Sequence, residues 1–283
     1  MSVSDTLPHP TTEVIIEPRP GWHLVDLREV WRYRELMLFM VWRDVKVKYK
    51  QTVLGFLWAL IEPLCTLLIF TVIFGKLGGL GNSTGGIPYP IFVCAGLLPW
   101  NFFSKAVTGA SNSLVASAGV ITKVYFPRLI VPMAAVGAQA LDFLVSFAII
   151  VALMFHYNYP PSLVVFALVP LTLLLGVTSL GVGAFLSVMT AAYRDFRPLN
   201  AFMIRLWMFV TPVIYPTKAV PENWQWVLAL NPMTGVVDGF RSALLNQPFD
   251  WPNLGISTAS ATVMLFVGLV CFRRIEGQFA DIV

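Results

Sequence analysis

Three ionisable side chains stand inside long apolar stretches of this chain: Glu62, Asp142 and Arg205. A charge at the centre of a hydrocarbon layer costs roughly 3 kcal/mol or more, so such groups must face one another, a neighbouring helix or water. The chemistry open to them is non-covalent. They either line a way for a hydrophilic cargo or pair structurally, for instance Asp142 with Arg205. Proton-coupled carriage would need more carboxylates. The three histidines, His9, His23 and His156, lie far apart, and neither HExxH nor GxSxG occurs, so neither a catalytic residue nor a metal site is expected. Cys65, Cys94 and Cys271 are odd in number and lack CxxC spacing, which reads as free thiols packed as small hydrophobes.

Aromatic residues accompany these charges. Phe56, Trp58, Trp207 and Phe209 fall in or near the first and fifth apolar stretches. They could stack on the apolar faces of sugar rings and, with Glu62 and Arg205, line a path. The alternative is an aromatic belt at the membrane surface, which also suits Trp22, Trp31, Trp42, Trp100, Trp224 and Trp226. A basic run, Arg43, Lys46, Lys48 and Lys50, precedes the first stretch. It either attracts a lipid diphosphate or other anionic headgroup, at about 1 kcal/mol per residue, or only anchors the chain positive side inward. Residues 113–128 read as a short helix followed by an apolar-aromatic knob between Lys123 and Arg128. That knob suits docking of a soluble subunit, or it merely anchors the next stretch.

The elements that must position these residues follow from composition. The chain is 57% hydrophobic and only 12% charged, whereas a soluble domain carries about 25% charge. Six stretches, 53–74, 90–107, 130–155, 163–189, 199–214 and 256–272, suit bilayer-spanning helices. Lys and Arg alternate between the short connections so that both termini are cytoplasmic. Residues 1–20 read as a disordered cytoplasmic tail, 21–50 as an interface helix and basic juxtamembrane segment, and 51–283 as the transmembrane domain. Within the second part, residues 22–38 place Leu24, Leu27, Trp31 and Leu38 on one helical face, as in a helix lying in the membrane interface or docked to a partner. Residues 215–254 hold five prolines and three tryptophans. They read as half-helices dipping into the outer leaflet or as a small external cap. The glycine-rich 75–86 lacks the ending of a phosphate loop, and no basic patch with base-stacking aromatics points to nucleic acid.

Taken in order, several short pieces resemble one family. They are Arg43 and Asp44; Lys48, Tyr49 and Lys50; Leu54 and Gly55; Trp58 and Pro63; Ala95, Gly96 and Leu97 with Trp100 and Phe103; the run from Ile121 to Arg128 with Pro132; Tyr193, Arg194 and Asp195; the run from Thr211 to Pro216; Asn231, Pro232 and Met233; Arg241; and Phe279, Ala280 and Asp281. The ordered set resembles the ABC-2 type permeases that export bacterial polysaccharide of the O-antigen, capsule or teichoic acid class, over about residues 25–283.

The resemblance implies an all-α membrane protein with six transmembrane helices per protomer, an N-terminal amphipathic interface helix and outer-leaflet re-entrant half-helices before the last span. It implies a homodimer with the path between protomers, and two copies of an ATP-binding cassette subunit beneath. ATP and Mg would sit on that partner, with no cofactor and no enzymatic activity on this chain. Trp31, Lys123, Tyr125, Phe126, Pro127 and Arg128 would dock the ATPase, residues 117–128 forming the coupling helix. The cargo would be an undecaprenyl-diphosphate-linked polysaccharide, O-antigen foremost, crossing the bacterial inner membrane in lipopolysaccharide biosynthesis. A permease for a small hydrophobic cargo, drug or lipid, is the alternative.

Overall fold

A computed structural model describes residues 27–50, 55–79, 81, 84 and 86–276. Among them every regular element is a helix. The expected tail, the first residues of the expected amphipathic helix and the C-terminal Phe279, Ala280 and Asp281 lie outside the described residues.

Helix α1 (Leu27–Arg32) and α2 (Arg34–Lys50) are divided by a turn at Tyr33. Here the structure corrects the sequence reading, which ended the helix at Leu38 and set the basic run apart. Residues 34–50 contain neither Gly nor Pro, so nothing in the chain stops the helix before Lys50. Trp31, Leu38, Phe39, Trp42 and Val47 remain exposed, while Val30 and Met40 turn inward.

Helix α3 (Trp58–Phe70) continues through wide π turns over Thr71–Leu77. Then come α4 (Tyr89–Ala116), the single turn α5 (Ala118–Ile121), α6 (Ile130–Gly137) and α7 (Ala140–His156). A 3-10 turn leads into α8 (Leu168–Ala192), followed by α9 (Phe196–Val210), α10 (Glu222–Leu230), α11 (Pro232–Leu245) and α12 (Trp251–Glu276). Among the described residues, five segments are long and apolar enough to cross a membrane: Trp58–Leu77, Tyr89–Ala116, Ile130–His156, Leu163–Ala192 and Trp251–Ile275. The expected fifth of six spans is the 15-residue α9. At 1.5 Å per residue it reaches about 22 Å, short of the ~30 Å hydrocarbon core.

Helix α4 is the centre of the bundle. It packs against α6, α7, α8, α9 and α11, and Ile91, Val93, Ala95, Phe103, Ala106, Val107 and Ala110 have no exposed surface. Helices α8 and α12 approach closely because Gly181 faces the backbone of Leu265; a Cβ there would lie 2.6 Å from the Leu265 Cα. Small residues allow such contact between apolar helices, where packing rather than water expulsion drives association. A second core joins the other end of the bundle: Val30 and Met40 from α1 and α2, Leu114 from α4, Phe126 and Leu129 from the loop before α6, and Phe272 from α12.

Helix α11 falls in the segment expected to form half-helices in the outer leaflet or a small external cap. It is almost wholly buried between α4, α8 and α12. Its start is set by Pro232 and by Asn231, whose side chain accepts from the Met233 amide at 3.0 Å. Its end is set by Asn246 in the left-handed conformation, φ 51°.

Candidate functional site

The intramembrane charges do not pair as expected. Asp142 does not meet Arg205; it sits among Lys48, Tyr49 and Lys105. Lys48 Nζ donates to Asp142 at 2.5 Å and to Gln139 at 3.2 Å, the Tyr49 hydroxyl donates to the other carboxylate oxygen, and Lys105 Nζ stands 3.4 Å away. The same Lys105 bonds Glu62 at 2.6 Å. One chain of charges thus ties the end of α2 to α3, α4 and α7. Burial and the neighbouring Asp142 carboxylate raise the Tyr49 hydroxyl above its ordinary range, so it remains a donor.

Lys105 falls near the end of the second expected span, 90–107, and was not counted among the intramembrane charges. In the structure α4 runs on to Ala116, which leaves Lys105 well inside it. Lys48, expected to meet a lipid headgroup, is engaged by Asp142 instead. Its three companions differ: Arg43, Lys46 and Lys50 line one groove of about 360 Å³ with Phe39, Trp42 and Val47. Arg43 also holds Asp44 at 2.8 Å, and Lys46 lies 5.2 Å from the Trp42 ring centre.

The candidate path residues divide. Trp58, Arg205 and Phe209 are exposed, and Glu62 keeps 56% of its side chain exposed against 10% for Asp142. Arg205 has no acidic partner within 4 Å among the described residues. The side chain of Phe56 lies outside the description. Trp207 turns inward: its ring meets Phe103 edge-on at 5.1 Å and its N–H donates to Asn231 at 2.9 Å. It braces the bundle rather than the open face, because an indole N–H buried beside a helix start needs an acceptor.

Asn231 links that brace to the segment after α9. Its amide donates to Thr211 at 2.9 Å, and Thr211 in turn donates to the Trp207 carbonyl. Beyond Thr211 the backbone is irregular, yet its carbonyls are answered. Arg241 of α11 donates to the Val213 carbonyl at 2.5 Å and lies 3.4 Å from that of Tyr215. Tyr89 donates to the Ile214 carbonyl at 3.0 Å. Asp238 holds Arg241 at 3.4 Å and accepts from Thr217 at 2.6 Å. The guanidinium also covers the Phe92 ring, 3.9 Å from its centre. Composition gave no hint of this clamp; its signals were the run from Thr211 to Pro216 and Arg241 among the ordered motifs.

At the opposite end, the expected docking elements also divide. Trp31, Lys123 and Tyr125 are exposed, and Pro127 and Arg128 are half-buried. Phe126 is only 4% exposed and belongs to the second core. The structure corrects its expected role: an aromatic ring filling that core is closed to a docking partner.

A match to the ABC-2 type transporter membrane family covers residues 35–245. The chain belongs to that family. Similar proteins include the O-antigen export system permease protein RfbA of Klebsiella pneumoniae, 28% identical over 88% of this chain and 95% of its own length. The protein of the same name from Myxococcus xanthus is 28% identical over 90% and 98%. The polysialic acid transport protein KpsM of Escherichia coli is 25% identical over 83% and 91%. This ABC-2 chain is therefore a multi-pass membrane transport protein, and the matched region runs from the start of α2 to the end of α11.

Proposed function

We propose that this chain is the permease subunit of an ATP-driven exporter of undecaprenyl-diphosphate-linked polysaccharide, O-antigen in the first instance. The observation that carries the reading is similarity along nearly the whole chain to O-antigen export permeases. The open faces of α3 and α9 support it. They combine aromatic rings, Trp58 and Phe209, with Glu62 and Arg205, a mixture suited to a hydroxylated, partly apolar cargo.

Two protomers pair in this reading so that these faces enclose the path, and α9 with residues 211–216 completes a sixth crossing. Both termini face the cytoplasm of the inner membrane. Helices α10 and α11 form the re-entrant outer part, whose irregular backbone the Arg241 clamp satisfies. Two ATP-binding cassette subunits, carrying ATP and Mg, dock at Trp31, Lys123 and Tyr125. Their motion reaches the spans through the second core, where Phe126, Met40 and Phe272 meet. The groove of Arg43, Lys46 and Lys50 receives the lipid diphosphate.

Deletion of the gene alone tests the reading. Lipid-linked polysaccharide accumulates on the cytoplasmic face, the cell surface is bare, and rescue requires an active ATPase partner. Normal surface glycan after deletion would overturn it.

A further inference from the structure

Between α4 and α9, at the ends carrying Ala116 and Arg197, lies a cavity of about 540 Å³, within the range that holds small ligands. Thr108, Ser111 and Asn112 form its wall on α4; Arg197, Asn200 and Ala201 form the wall on α9. The hydroxyls of Thr108 and Ser111 and the amides of Asn112 and Asn200 already donate within the protein. Thr108 donates to the Ser104 carbonyl at 2.7 Å, and Ser111 and the Asn112 amide donate to the Thr108 carbonyl, each at 2.9 Å. The Asn200 amide donates to Thr190 at 2.9 Å. What remains on α4 is a set of acceptors. One of them, Asn112 Oδ1, is buried without any partner. Turning the amide over would set that oxygen against the Thr108 carbonyl, so the donor at Thr108 fixes its assignment.

A wall of acceptors selects its ligand. A phosphate or carboxylate would meet Arg197 at the edge but brings only further acceptors to the α4 wall, leaving Asn112 unanswered. An ammonium group would be repelled by the Arg197 guanidinium at the exposed edge of the cavity. A sugar ring brings hydroxyl donors for Asn112, Thr108 and Ser111, ring and hydroxyl oxygens for Arg197, and an apolar C–H face for Val115 and Ala201. We propose that this cavity is a saccharide subsite, in which Asn112 Oδ1 accepts a sugar hydroxyl after a small turn of its side chain. The assignment rests on the polysaccharide reading and deepens it: it separates a sugar-binding position on α4 and α9 from the basic groove on α2.

The test uses the full-length chain in lipid nanodiscs and two radiolabelled probes, undecaprenyl diphosphate carrying one N-acetylglucosamine and bare undecaprenyl diphosphate. Wild type binds the sugar-bearing lipid more tightly than the bare lipid. Asn112→Leu removes the acceptor, and Ala201→Phe fills the cavity from the other helix, so the idea does not hang on one variant folding; Thr108→Val is a milder third. Each weakens the sugar-bearing probe about tenfold and leaves the bare lipid unchanged. A preference for the sugar-bearing lipid that persists in every folded variant overturns the subsite while leaving polysaccharide export standing. Equal weakening of both probes also overturns it. Wild type that binds neither probe removes the export reading and the subsite together.

Discussion

Arg241 donates to the Val213 carbonyl at 2.5 Å, and so fixes the segment after α9 against a helix that begins 19 residues later. The bond joins a buried cation to a backbone oxygen that would otherwise lack a donor in an apolar setting. Asp238 balances the charge from one helical turn away.

Replacing Arg241 by Met should leave Asp238 without its cation and the Val213 carbonyl without its side-chain donor. Loss of one member of a buried pair costs about 3–5 kcal/mol. Lys at the same position restores charge but cannot reach two carbonyls with a planar fork, so it should recover only part. Thermal unfolding of the purified chain in one detergent, compared across wild type, Arg241→Lys and Arg241→Met, should rank them in that order. Equal midpoints for all three would show that the clamp carries no stability.

Gly96 offers a second handle on the same contact. A Cβ there would stand 2.6 Å from the Val213 carbonyl oxygen and 2.8 Å from the Arg241 guanidinium. Gly96→Ala should therefore push α4 away from the clamp and destabilise by about 1–3 kcal/mol. Gly255→Ala is the control, since its Cβ would meet nothing within 4 Å. Removing a helical glycine there should help by about 0.5–1 kcal/mol. Opposite signs in the two melting shifts are expected.

The clamp marks the limit of what the sequence discloses. Membrane spans were legible because about twenty apolar residues in a row have few other uses, and the helices at 58–77, 130–156 and 163–192 lie where hydropathy put them. What escaped was pairing across the fold. Asp142 and Arg205 looked complementary because both interrupt apolar runs, yet Lys48 and Lys105 take the carboxylate. Residues 123–128 were visible as a knob, but side-chain direction decides which rings face outward, and the turn points Phe126 into the core. Half-helices were expected in residues 215–254, but not that one of them, started by Pro232, would be buried almost wholly between α4, α8 and α12.

Lys48 and Lys46 are two residues apart and should behave differently. Lys48→Met strips Asp142 of its nearest cation, although Lys105 remains at 3.4 Å. A loss of about 1–3 kcal/mol is expected. Lys46→Met, facing the groove on α2, should leave the melting midpoint within about 0.5 kcal/mol while lowering affinity for vesicles rich in anionic lipid. A double-mutant cycle of Lys48→Met with Asp142→Asn should show coupling, and the same cycle with Lys46→Met should show none.

Tyr125 and Phe126 give the cleanest separation of docking from folding, since they are adjacent in sequence and opposite in exposure, 67% against 4%. Phe126→Ala empties a ring from the core shared by α1, α2, α4 and α12 and should cost about 3–5 kcal/mol. Its export defect would then track lost folded protein. Tyr125→Ala removes a side chain that belongs to neither core, so the purified chain should lose far less stability than Phe126→Ala does. If the knob docks an ATPase, co-purification of that partner and transport should both fall in Tyr125→Ala cells at normal permease levels. Tyr125→Phe, which keeps the ring, should retain most of both. Normal partner capture and export in Tyr125→Ala would remove Tyr125 from the coupling surface and leave residues 123–128 as an anchor for α6.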